Sequence, residues 1–162
     1  MNMKFKVLIA ILIIGFVGLA AVSISKKSST SSIKSLLVAE QPLHDFGTIS
    51  MKDGNVSYTY IVQNTSTEPV TIKKLYTSCA CTEASLAVDD KKVGPYSMEG
   101  HGGVKIPELD INIPAGEKGE VEVVYDPALH GSSGIGNIER SVFLDTSNGA
   151  RTELVLKTTV KP

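Results

Sequence analysis

The 162-residue chain has two cysteines, three histidines and no excess of basic charge in its main body, and these shortages exclude several functions. No cysteine stands directly after the N-terminal apolar run, which argues against lipid attachment there. Residues 1–34 hold five lysines and no acid, leaving 11 basic against 17 acidic residues in 35–162, a net charge of −6. Phosphate contacts need clustered Lys and Arg, so nucleic acid is excluded as a partner. Hydrolytic catalysis lacks its usual marks: there is no Gly-x-Ser-x-Gly elbow and no His-Glu-x-x-His. The glycine-rich 131–136 (GSSGIG) lacks the Gly-Lys-Ser/Thr ending of a phosphate loop. The acidic pair Asp89-Asp90 sits in a polar run and reads as solvated. A non-enzymatic protein is therefore expected.

One long hydrophobic run is present. Residues 7–22 (VLIAILIIGFVGLAAV) are uninterruptedly apolar, and Ser23-Ile24 extend the run to 18 residues. Spanning a bilayer takes roughly 20 apolar residues, with about 17 as the lower limit, whereas the core of a cleaved signal is about 7–15. An uncleaved transmembrane anchor over 7–24 is expected, with cleavage near Ala21-Val22-Ser23 as the alternative. Residues 1–6 then form a short cytoplasmic tail. The serine-rich 25–35 is too polar to offset its ordering entropy and reads as a tether. Residues 36–162 form an extracytoplasmic domain, periplasmic or extracellular, on a single-pass membrane protein.

Within 36–162 the apolar periodicity is two and never helical. Residues 36–49 (LLVAEQPLHDFGTI) form a first strand region broken by Pro42, which suits an edge. Residues 56–62 (VSYTYIV) alternate, and 70–76 (VTIKKLY) run into the cysteines. Residues 86–88 form a short strand, followed by a polar, glycine-bearing excursion over 89–107. Loops beyond about 12–15 residues usually carry function or are disordered. Residues 109–113, 119–125, 142–144 and 154–160 complete about seven strands, the last two joined by the turn Thr146-Ser147-Asn148-Gly149. Seven alternating strands predict an all-β, immunoglobulin-like sandwich.

Several phrases together resemble the bacterial domain-of-unknown-function 1573 family. His44-Asp45-Phe46-Gly47-Thr48-Ile49 is similar to its Phe-Asp-Phe-Gly-x-Ile opening, and Gln63-Asn64-Thr65 to its Lys-Asn-Thr-Gly turn. Glu68-Pro69-Val70-Thr71-Ile72 resembles its Pro-Leu-x-Ile strand start. Ser78-Cys79-Ala80-Cys81-Thr82 resembles its Ser-Cys-Gly-Cys-Thr signature, and Ile113-Pro114-Ala115-Gly116-Glu117 its Ile-x-Pro-Gly-Glu turn. The resemblance covers about 44–160. It implies an exported PapD-like or immunoglobulin-like sandwich, with Phe46, Gly47, Asn64, Cys79, Cys81, Thr82, Pro114 and Gly116 as the signature positions. Ala80 stands where the family has glycine, which argues against a turn needing positive φ there. His44 replaces the leading aromatic, and the 89–107 excursion is longer than the family's.

The chemistry-bearing candidates centre on the cysteines. In an extended strand their Cα atoms would lie roughly 6.6–7 Å apart, at or beyond the disulfide limit of about 6.8 Å. Three readings stand together: free thiols packed beside the core, two thiolates clipping a soft ion such as Cu(I) or Zn(II), or a labile disulfide. Met98 and His101, in the glycine-rich 94–103, would complete a four-ligand set with Cys79 and Cys81. His130 lies in the second glycine loop, but no spacing requires it there; His44 reads as a strand residue. The expected function is an extracytoplasmic binding or scaffolding protein with a protein partner at the cell envelope. A soft-metal protein is the alternative. A thiol redox protein is the least supported, since no Cys-x-x-Cys or helix N-terminus is present to depress a thiolate pKa.

Overall fold

Ten strands make two five-stranded sheets that pack face to face, with no α-helix among the described residues. A computed structural model describes residues 36–103 and 105–162. The expected transmembrane segment, cytoplasmic tail and tether lie outside the described residues. The strands are β1 Leu37–Ala39, β2 Leu43–Ser50, β3 Val56–Asn64, β4 Val70–Thr77 and β5 Thr82–Val88, then β6 Lys91–Tyr96, β7 Ile111–Ile113, β8 Lys118–Tyr125, β9 Gly136–Thr146 and β10 Arg151–Lys161. The first sheet has the order β1-β3-β8-β5-β6 and the second β2-β10-β9-β4-β7. Nearly every pairing is antiparallel; β2 alone runs parallel to its neighbour, β10. An immunoglobulin-like sandwich is what the alternation predicts, with more strands than the seven expected.

The core follows the period of two. Along β8 exposed and buried positions alternate from Lys118 to Tyr125, and β10 does the same from Arg151 to Lys161. The inner faces bring Tyr60, Val62, Leu86 and Val121 against Ile72, Leu75, Leu144, Leu154 and Leu156. Burying one such aliphatic side chain contributes about 1.5–3 kcal/mol. Among the polar contacts that cross between the sheets, the Tyr60 hydroxyl donates to the Val155 carbonyl at 2.8 Å, and Thr152 Oγ1 donates to the Leu37 carbonyl at 2.8 Å. Desolvation in this setting, reinforced by neighbouring Tyr58, pushes the Tyr60 phenol far above its ordinary pKa.

Two expectations need correction. The first strand region is two strands, because Pro42 lets the chain leave one sheet and enter the other. β1 pairs with β3 and β2 with β10, and each is an edge strand, as Pro42 implies. The 89–107 excursion is not all loop, since its first part is β6, the outer strand of a hairpin with β5. Asp89, at φ 50°, makes the reversal. Lys91–Tyr96 (KKVGPY) shows no apolar alternation because an edge strand with both lysines exposed buries little. Gly94 permits the pairing: a Cβ there would lie 2.7 Å from the Ala84 carbonyl oxygen, at φ 101°. Gly94→Ala is expected to cost about 2–3 kcal/mol through that clash and the left-handed backbone. Urea denaturation measures it, and a loss below about 0.5 kcal/mol would refute the close approach.

Candidate thiol–imidazole site

The cysteine turn is where the chain passes between sheets. β4 belongs to the second sheet and β5 to the first, and 78–81 join them. β8 and β9 belong to opposite sheets in the same way, and 126–135 join those. Because β4 pairs antiparallel with β9, and β5 with β8, both crossovers fall at one end of the sandwich. Thr82 sits opposite Tyr125, and Thr77 opposite Val142. The second glycine loop is thereby brought over the cysteines.

Cys79 and Cys81 are in a turn, not in an extended strand, so their Cα atoms are 5.3 Å apart and the two are joined as a disulfide. Ala80 needs no positive φ, since Asp89 is the one non-glycine in that region among the described residues. The turn is held by buried hydrogen bonds. Thr77 Oγ1 donates to the carbonyls of Cys79 at 2.8 Å and Thr82 at 2.9 Å, and the Thr82 amide donates to Cys79 O at 3.1 Å. Ser78 is tied to Ser141 of β9 by two bonds of 2.9 Å, and the Asp126 amide donates to Cys81 O at 2.9 Å. These bonds run to both sheets, which orients the sulfurs.

Each sulfur has a nitrogen against it. His130 Nε2 is 3.2 Å from Cys79 Sγ, and the three ligand atoms of Cys79, Cys81 and His130 all lie within 4.8 Å of one another. Arg140 Nε donates to Cys81 Sγ at 3.4 Å, and the Cys81 amide to Cys79 Sγ at 3.3 Å. His130 is held by its own loop: Ser133 Oγ donates to its carbonyl at 2.7 Å, and the Ala128 amide donates to Asp126 Oδ1 at 2.8 Å. Burial holds the nearby Tyr125 phenol above its ordinary pKa, with Arg140 opposing that shift.

A cavity of about 160 Å³ opens beside Cys81, lined by Asn55, Ala80, Glu83, Val124, Asp126 and Leu129. Metabolite sites run to about 300–1,000 Å³, so this one suits a single side chain. Leu129 and Ile135, on the loop that carries His130, are 53% and 42% exposed.

Ser97 reaches the cysteine turn, its carbonyl accepting from the Thr77 amide at 3.2 Å and its hydroxyl donating to Ala80 O at 3.4 Å. Met98 follows, half-buried, and Glu99 pairs with Lys74 at 3.2 Å. His101 opens an exposed 3-10 turn, His101–Gly103, and is not the imidazole that joins the sulfurs. His44 stacks on Tyr58 at 3.6 Å and packs edge-on to Phe46, as a strand residue. Of the signature positions, Asn64 is fully buried at the end of β3, and Thr82 is buried at the start of β5. Pro114 and Gly116 are exposed in the β7–β8 turn, Gly116 at φ 79°. Gly47, at φ 67°, lies where the β2–β10 register shifts, with half-buried Phe46 packed against the core.

Two solved structures with TM-scores of 0.50 or more support the fold. A protein of unknown function from Porphyromonas gingivalis W83 superposes with a TM-score of 0.54 at 12% identity, over 83% of this chain and 51% of that one. The secreted serine protease VesC from Vibrio cholerae superposes at 0.50 and 10% identity, over 80% and 24%. The ASH/PapD-like domain 7 of human CEP192 aligns at 0.45 and 11%, over 78% and 85%. The chain spans about half the length of the first of these and about a quarter of the second. No curated protein matches it. In sequence, residues 37–106, which run from β1 through both cysteines to the end of the long excursion, match the protein-of-unknown-function family DUF1573.

Proposed function

We propose that this is an extracytoplasmic binding domain that exchanges its Cys79–Cys81 disulfide with the thiols of a protein partner at the cell envelope, anchored by residues 7–24. The observation that carries the reading is the imidazole of His130, 3.2 Å from Cys79 Sγ, beside a side-chain-sized cavity at Cys81. An oxidising compartment outside the cytoplasm is where such a disulfide persists. Support for a thiolate comes from Arg140 Nε and the Cys81 amide, which donate to the sulfurs, and from the His130 imidazole against Cys79 Sγ.

In the exchange, a partner thiolate attacks Cys81 Sγ from the cavity. A mixed disulfide forms at Cys81, and Cys79 Sγ leaves as a thiolate, stabilised by hydrogen bonds from His130 Nε2–H and the Cys81 amide. A second partner thiol then attacks the partner's own sulfur in that mixed bond. Cys81 leaves as a thiolate beside Arg140, the partner departs oxidised, and the domain holds two thiols after taking up two protons. The exposed Leu129 and Ile135 offer the partner an apolar contact beside the cavity.

Stopped-flow reduction of the full-length chain by dithiothreitol tests this. His130→Ala is expected to slow reduction at least about tenfold, because the leaving thiolate loses its donor, with the melting temperature unchanged. A disulfide that resists reduction until the chain unfolds would defeat the reading.

A further inference from the structure

Once reduced, the same three residues present a ligand set for a soft cation. We propose that Cys79 Sγ, Cys81 Sγ and His130 Nε2 bind one cuprous ion in the reduced domain, an inference that rests on the exchange reading for its dithiol state. The three donor atoms already lie within 4.8 Å of one another. Metal–sulfur and metal–nitrogen bonds of about 2.3 and 2.0 Å hold neighbouring ligand atoms roughly 3.5–4 Å apart. The 3.2 Å from His130 Nε2 to Cys79 Sγ is close to that spacing before any movement. The two sulfurs need only separate from bonding distance, which a turn with Cα atoms 5.3 Å apart allows.

The ligand chemistry selects the ion. Two thiolates and one imidazole are soft and few, which satisfies a three-coordinate cuprous ion, whereas zinc in a closed protein site takes four ligands. Two thiolates with a monovalent cation leave one negative charge. The Arg140 guanidinium, donating to Cys81 Sγ at 3.4 Å, is placed to offset it, and the Cys81 amide supports Cys79 at 3.3 Å. The carboxylates of Glu83 and Asp126 line the cavity beside Cys81 and give a cation a route in. A partner dithiol leaves as its own disulfide and delivers two electrons and two protons to Cys79–Cys81, and the cuprous ion then displaces both thiol protons to solvent.

The test uses the full-length chain in mild detergent, reduced and handled without oxygen. Free thiols are counted first, and Cu(I) is then titrated against a chromophoric chelator. The expected result is two thiols and one copper per chain, with thiolate-to-copper charge-transfer absorption. His130→Ala should weaken binding more than about a hundredfold, beyond the 10–100-fold expected for the outer donor in Arg140→Ala. Met98→Ala and His101→Ala should leave it unchanged. Two thiols without stoichiometric copper would overturn the metal site and leave the exchange reading standing. No thiols in the folded chain would remove both. Zinc binding in preference to copper, or a loss through Met98 or His101 instead of His130, would overturn this ligand set.

Discussion

Replacing Cys79 and Cys81 together by serine is expected to abolish exchange with dithiols while leaving the sandwich folded. The size of the closed loop separates the two effects. Cross-linking a span of three residues removes only about 1.6 kcal/mol of unfolded-state entropy, against about 3 for a 15-residue loop. The hydrogen bonds of Thr77, Ser78 and Thr82 hold the turn independently of the sulfurs. The melting temperature should therefore fall by roughly 5–10 °C at most, while exchange drops to background. The single variants should differ from each other. Cys79→Ser leaves Cys81 at the cavity with no resolving thiol, so it should accumulate a long-lived mixed disulfide with a partner thiol. Cys81→Ser keeps only Cys79, which lies against His130 and outside the cavity lining, and should trap far less. Mass spectrometry of trapped adducts separates them; equal trapping at both positions would refute attack through the cavity. A double variant that fails to fold would make the disulfide a structural staple.

Asn64→Ala should produce the largest loss of stability among the signature positions, about 3–4 kcal/mol. Asn64 is fully buried, and its amide ties three segments together. Nδ2 donates to the carbonyls of Glu68 at 2.8 Å, Ile113 at 2.9 Å and Pro114 at 3.1 Å, while Oδ1 accepts from the Ser66 amide at 3.0 Å and hydroxyl at 2.7 Å. Two hydrogens serve three carbonyls, so the site is saturated with acceptors. Alanine would take the side-chain donor from the buried Ile113 carbonyl and release both the β3–β4 connection and the β7–β8 turn. Asn64→Asp should be no better, since a carboxylate keeps the Ser66 bonds yet cannot donate to the carbonyls and adds a buried charge. Chemical denaturation of both variants decides it. A cost below about 1 kcal/mol for alanine would mean that the network is dispensable.

Local pattern and local chemistry were legible in the sequence. Alternation along 56–62 and 119–125 announced strands because neighbouring side chains in a strand point to opposite faces whatever the rest of the chain does. The signature around Cys79 and Cys81 was legible for the same reason, as a contiguous phrase, and its match extends over 37–106. β6 was not, because an exposed edge strand carries no apolar period, and its place comes from hydrogen bonding to β5.

The site divides along the same line. The sequence by itself determined that two cysteines stand two residues apart at the end of a strand and that two glycine-rich loops with histidines follow them; that the cysteines share a turn came from the tertiary structure. Which histidine meets the sulfurs was decided by the order of strands within the sheets. His130 is 51 residues from Cys79 in the chain, and no spacing rule connects them. They meet because β4 lies beside β9 and β5 beside β8, so two crossovers share one end of the sandwich. His101 is nearer in sequence, yet it follows an edge strand into an exposed turn. Proximity along the chain is set by covalent geometry, whereas proximity across the sandwich is set by strand pairing, which couples residues of every separation.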